Sequence, residues 1–395
     1  MCAASLVYRS EYQDYDFGPE HPLRPERLIA AQSLFAAAGL WPSEDELIWA
    51  PPASPDELRL THSEQYVEAV KRIDLFADDP EFAHEAEPWG LGPGDSPAFV
   101  GMHTSAALIA GGTLQAVRSV LSGQVSHVFH PTGGLHHAMP QRASGFCIYN
   151  DAAIAIKAAL REHVSRVLYL DFDAHHGDGV QAAFYHDPRV LTISLHESGR
   201  HLFPGTGDHE DLGVGPGRGY SLNLPLEPYT DDQSWLEALE LLVRPAAEWF
   251  KPDLIVSQHG CDSHALDPLS HLRLSTQAYQ AQVRLAHELA HQLARGRWVA
   301  LGGGGYDWLR VVPRSWAIIW AELSGRALPS RIPETWRQQW AADAQQAELW
   351  PLPEEFLDVT TAWTAVPRQA DISRANRDRL HRLQALALHA RGSSV

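Results

Sequence analysis

The stretch YLDFDAHHGDG, residues 169–179, puts three aspartates and two histidines at the end of an apolar run. Asp171, Asp173 and His175 share one parity, so an extended chain points all three to the same side. Carboxylates crowded together repel unless a proton or a cation lies between them, and a metal ion is the simplest compensation. A second cluster, HPTGGLHHAMP at 130–140, holds the adjacent pair His136 and His137, whose side chains leave the backbone in different directions and so cannot both be incidental to one buried surface. In a third, SQHGCDSHALDPL at 257–269, Asp262 follows an apolar run and a glycine. The fourth, LGGGGYD at 301–307, has glycines that let the backbone pass close to another group and leave Tyr306 on a sharp turn. It lacks the Lys-Ser/Thr ending of a phosphate-cradling P-loop.

These clusters need elements to hold them. Short apolar runs at 126–130, 166–172, 189–195, 252–258 and 297–303 predict buried strands. Between or beside them, 102–121, 150–162, 232–249 and 277–294 carry helical spacing rich in Ala and Leu. The alternation predicts an α/β fold, with a mainly parallel central sheet and helices on both faces. Ligands of such sheets bind beyond the carboxyl ends of the strands, and each polar cluster follows one of the runs. Residues 79–97, dense in Pro, Gly and acid, predict a long surface loop of a kind that often carries function. Past about residue 327 the strand pattern stops; 331–353 and 374–390 predict helices whose Trp and Leu stripes are packing surfaces. The expected division is a catalytic domain over 1–326 and a helical C-terminal extension over 327–395, packed on the same domain.

Composition narrows the partners. The chain has 395 residues, 45% of them hydrophobic, enough for a sizeable core. A formal charge of −18 without a Lys/Arg cluster argues against nucleic acid. Cys2, Cys147 and Cys261 form no metal-binding spacing, and so sparse and odd a count suits a reducing compartment. The first residues lack a basic, then apolar, leader pattern, and no segment approaches the ~18 apolar residues of a membrane span. The expectation is a cytoplasmic protein without a membrane partner.

The motifs GLHHA, ASGFCIYND, DFDAHHGDGVQAAF, LFPGTGD, QHGCDSHALDPL and LGGGGY, in this order, resemble the histone deacetylase superfamily, and within it the bacterial acetoin-utilisation type. The resemblance spans roughly residues 15 to 325. It implies an arginase/deacetylase-like fold and a metal-dependent lysine deacetylase acting on acetylated protein. An acetylpolyamine amidohydrolase, taking a small acetyl-amine substrate, would share the metal site. A silent acyl-lysine binding module should have lost a ligand, a histidine or the oxyanion donor, and all are present. The acetylated target and the oligomeric state stay open.

By that resemblance Asp173, His175 and Asp262 ligate the metal. Three protein ligands leave open positions, as catalytic sites do, and two carboxylates with one imidazole suit Zn2+ but also accept Fe2+ or Co2+. His137, partnered by Asp178, is implied as the general base and then acid; His136, partnered by Asp171, as an electrostatic neighbour. Tyr306 would donate to the oxyanion that forms during amide hydrolysis. Phe146 and Phe203 match the walls of a channel for an acyl-lysine chain, the Gly145 carbonyl an acceptor for the substrate amide, and Asp95 a rim carboxylate. The family also binds K+ or Na+. Asp171, Asp173, His175, Ser194 and Leu195 match one such site, and Phe184, Asp187, Val190 and Tyr220 the other.

Overall fold

The five apolar runs form strands, and three more join them. The computed structural model describes residues 4–79, 83–359 and 366–392. Its strands are β1 (Ala4–Val7), β2 (Leu47–Ile48), β3 (His127–His130), β4 (Val167–Asp171), β5 (Val190–Glu197), β6 (Ser221–Leu226), β7 (Leu254–Gln258) and β8 (Trp298–Leu301). They make one sheet in the order β2-β1-β3-β8-β7-β4-β5-β6, with every pairing parallel. Except in β2, residues of both parities are buried, so both faces are covered, which is why these strands read as unbroken apolar runs rather than alternating ones.

The covering helices include Met102–Leu121, which packs on β3 and on Asp151–Arg161, and Thr276–Leu293, which packs on β7, β8 and Val312–Ser324. The predicted helix at 232–249 is interrupted: Leu239–Val243 widens into a π turn just before Pro245, whose missing N–H disturbs the regular ladder. Within the predicted loop 79–97, Ala83–Ala86 and Glu87–Trp89 form short helical turns.

Beyond residue 326 the described residues lie against the rest of the molecule. Trp336 Nε1 donates to the Ala30 carbonyl at 3.0 Å. Asp358 accepts from His264 Nε2 and Arg314 Nη1, both at 2.8 Å, and from the Thr276 amide at 2.9 Å. Helix Gln369–Gly392 runs along edge strand β6, where Asn376 Oδ1 accepts from the Glu227 amide at 2.9 Å. The predicted stretch 331–353 is two short helices, Glu334–Gln339 and Ala341–Gln346, rather than a continuous one.

Candidate active site

Sheet register places the site. His130, Leu301, Gln258, Asp171 and Ser194 are successive partners across β3, β8, β7, β4 and β5, so they form one row at the carboxyl end of the sheet. The loops that carry the four polar clusters leave from this row. β4 ends at Asp171, so strand parity does not align Asp171, Asp173 and His175. The chain turns instead, and the Asp173 carboxylate accepts from the His175 amide at 2.9 Å while Asp171 faces the histidine pair.

Asp173, His175 and Asp262 converge. His175 Nδ1 lies 3.1 Å from Asp173 Oδ1 and 3.1 Å from Asp262 Oδ2, and all three residues are buried. Surrounding donors hold the carboxylates in place. Gln258 Nε2 and the Gly304 amide donate to Asp173 Oδ2 at 2.7 and 2.9 Å, and the Ala174 amide to Asp262 Oδ1 at 2.8 Å. Any Cβ at Gly304 would collide with the carboxylates of Asp262 and Asp173, so this turn of the glycine run tolerates no side chain. Burial, and then Asp173 beside it, push the Asp262 carboxyl up to about 6. Two buried anions with a single imidazole between them call for a cation, and the donor set fits a divalent metal.

The paired histidines stand beside this cradle, with His136 Nε2 3.9 Å from Asp173 Oδ1. His136 Nδ1 is 2.8 Å from Asp171 Oδ2, His137 Nδ1 is 2.7 Å from Asp178 Oδ1, and the two Nε2 atoms are 2.9 Å apart. Burial lowers the affinity of both rings for a proton. At His136 the Asp171 and Asp173 carboxylates overcome it and raise the imidazole to about 9. At His137 burial prevails, charge on His136 adds to it, and the ring falls to about 4.

A cleft of about 190 Å³ opens over these groups, lined by His137, His175 and Tyr306 within and by Phe146, Phe203 and Asp95 toward its exposed side. The Phe203 ring meets His137 edge-on at 5.0 Å and the Phe146 ring meets Tyr306 at 5.7 Å. Gly145 lines the same cleft at a left-handed φ of 52°, and a Cβ there would strike the His137 ring. Burial first, and the nearby Asp262 and Asp173 second, keep the Tyr306 phenol protonated well beyond its ordinary range.

The two sets matched to monovalent cations are also local clusters. Asp171 and Ser194 are register partners, with Leu195 next along β5. In the other set the Asp187 amide donates to the Phe184 carbonyl at 2.9 Å, the Val190 amide to the Asp187 carbonyl at 3.2 Å, and the Thr192 amide to the Tyr220 carbonyl at 2.9 Å. Each of those carbonyls keeps a second lone pair. The Asp187 carboxylate, however, is engaged by Arg189.

Several site residues escaped the sequence reading. Gln258 sits inside a quoted motif, and its alternation with Val256 on β7 gives no hint of its bond to Asp173. Tyr169 donates to Asp171 Oδ2 at 2.9 Å; it lies two residues before Asp171 on the same face of β4, a signal that was available. Buried Asp151 accepts from the Gly134 and Leu135 amides at 2.9 and 2.7 Å and so fixes the loop that presents His136 and His137. Arg27 donates to the Gly303 carbonyl at 3.0 Å from far away in sequence.

An all-parallel sheet whose carboxyl-end loops gather two carboxylates, three imidazoles and a phenol beside one cleft is the arginase/deacetylase architecture with a candidate metal cradle. The histone deacetylase domain matches residues 21–323, and the chain belongs to that family. It is 45% identical over 371 residues to the acetoin utilization protein AcuC of Bacillus subtilis, covering 94% of each chain. It is 39% identical over 388 residues to AcuC of Staphylococcus aureus strain MSSA476, covering 98% of this chain and 95% of that one. An HDAC homologue solved in complex with SAHA superposes with a TM-score of 0.84 at 33% identity, covering 96% of this chain and 99% of that one. The HDAC homologue from Aquifex aeolicus gives 0.83 at 31% identity over the same shares. The protein is therefore an acetyl-group hydrolase of the deacetylase fold. Among the described residues no helix is long and apolar enough to cross a membrane.

Proposed function

We propose that the chain removes acetyl groups from the lysine side chains of proteins, using a divalent metal, zinc by preference, held by Asp173, His175 and Asp262. The observation that carries this reading is the cleft itself: two phenylalanines flank an opening with His137, His175 and Tyr306 inside it, a shape suited to an extended aliphatic chain that ends in an amide. When bound, the ion supplies a Lewis acid that polarises a carbonyl and acidifies water. His137, neutral and oriented through Nδ1 by Asp178, takes the proton from the attacking water at Nε2 and returns it to the departing lysine amine. His136, oriented through Nδ1 by Asp171, is its electrostatic neighbour. Tyr306 donates its phenolic hydrogen to the oxyanion. Phe146 and Phe203 enclose the methylene chain, the Gly145 carbonyl accepts the substrate amide hydrogen, and Asp95 meets the peptide backbone at the rim. Asp171, Asp173, His175, Ser194 and Leu195 would hold one monovalent cation, K+ or Na+, and Phe184, Asp187, Val190 and Tyr220 a second. The reading also keeps the cytoplasm as the place of action and residues 327–395 as an extension of one catalytic domain.

Purified protein assayed on an acetyl-lysine peptide and on N-acetylpolyamines, with and without chelator, tests the substrate class. Chelator-sensitive hydrolysis of the peptide is expected. Much faster cleavage of N-acetylpolyamines replaces this reading with an acetylpolyamine amidohydrolase, and absence of any turnover leaves an acyl-lysine binding module.

A further inference from the structure

A second cluster of imidazoles lies at the amino end of the sheet, away from the catalytic loops. His127 opens β3 and is fully buried. His287 and His291 sit one turn apart on Thr276–Leu293 and so share a face, His287 partly buried and His291 exposed. Nε2 of His291 is 3.2 Å from Nε2 of His127 and 3.1 Å from Nε2 of His287. The three ring centroids lie 4.8, 4.9 and 5.0 Å apart.

Hydrogen bonding accounts poorly for this arrangement. A ring nitrogen of neutral histidine carries either a hydrogen or a lone pair, never both. His287 Nδ1 is 2.8 Å from Glu322 Oε1, so it carries the hydrogen and leaves a lone pair on Nε2. His291 Nε2 would then need one hydrogen to serve two neighbours. A metal resolves the conflict, because two imidazole nitrogens bound at about 2.0–2.1 Å in a tetrahedral site stand ~3.3–3.4 Å apart, close to the separations found. Glu322 on the far nitrogen of His287 is the carboxylate partner that metal-bound histidines commonly have.

We infer that His127, His287 and His291 form a second metal site, for a divalent transition ion suited to imidazole such as Zn2+, Co2+ or Ni2+, with Glu322 positioning His287. Solvent on the His291 side completes the coordination. The ion ties the start of β3 to helix Thr276–Leu293 and, through Glu322, to Val312–Ser324.

Chelator-stripped full-length protein titrated with Co2+, followed by visible absorption and metal analysis, tests the site independently of turnover. Wild type should take up two equivalents. His291→Ala, a surface change, should lose one and retain its activity. Asp262→Ala should retain the histidine-dependent equivalent and lose it once His291→Ala is added. Glu322→Gln should bind that ion ~10–100-fold more weakly. Uptake of a single equivalent by wild type, or two equivalents undiminished in His291→Ala, overturns the inference.

Discussion

Two histidine-containing clusters at opposite ends of one sheet differ in donor charge, and that difference sets what a metal would do at each. The Asp173–His175–Asp262 cradle buries two carboxylates against one imidazole, so its charge is incomplete without a cation. The His127–His287–His291 cluster offers imidazoles alone, with no carboxylate ligand and one exposed member. On this reading a metal would be integral to the first and an adjunct to the second, where it would add stability that grows with the logarithm of its free concentration over its Kd. The cradle is also braced by backbone amides and Gln258, whereas the second cluster relies on one carboxylate, Glu322.

The comparison breaks first at the ligands. Asp173→Ala or Asp262→Ala should abolish turnover and weaken metal binding in the cradle, since removal of an anionic ligand takes away most of the affinity. Metal analysis checks this, and full cradle occupancy in either variant contradicts the assignment. Next in size is Tyr306→Phe, expected to cut kcat by ~10²–10³ with little change in KM, because the phenol meets charge that appears only during attack. An unchanged kcat would remove Tyr306 from the mechanism.

His137→Ala should lower kcat by ~10² or more while metal and hydroxamate binding persist. If His136→Ala is far more damaging, the two histidines exchange roles. A smaller effect, on stability alone, is expected away from both clusters at Asp358. Burial opposes its charge, but His264 and Arg314 hold its carboxylate well below the usual range. A depressed folded-state pKa contributes stability that is present above the unfolded value, about 3.9, and is lost as pH falls through and below it. Asp358→Asn should therefore cost ~3–5 kcal/mol in denaturant unfolding at neutral pH, as breaking a buried ion pair does, with the difference shrinking in acid. A deficit independent of pH would show that packing, not charge, is what Asp358 supplies.

Sequence patterning exposed the middle of the sheet because buried parallel strands are continuous apolar runs. It missed the periphery. β2 has only two residues, β1 is four residues at the start of the described chain, and β6 is an edge strand containing Pro225. That edge is covered by helix Gln369–Gly392, which places the extension where an open strand would otherwise be exposed. In the active site, the histidine pair, the metal-type residues and Tyr306 were legible because each sits in a compact polar run after a strand. Arg27 was not, since the loop it holds lies far away in sequence, and Asp151, though it ends the stretch ASGFCIYND, carries no sign in the sequence of its bonds to the Gly134 and Leu135 amides. The second histidine cluster was illegible for the same reason, because β3 and helix Thr276–Leu293 meet only in the folded chain. Cys2 lies outside the described residues, while Cys147 and Cys261 are buried free thiols.

Metal removal and restoration, read on hydrolysis of an acetyl-lysine peptide, tests the cradle most directly. Chelator-stripped wild type should be inactive and should recover with one added equivalent of Zn2+, His291→Ala should recover as fully, and Asp262→Ala should not recover at all. Turnover that survives stripping, or that returns in Asp262→Ala, would contradict the central assignment.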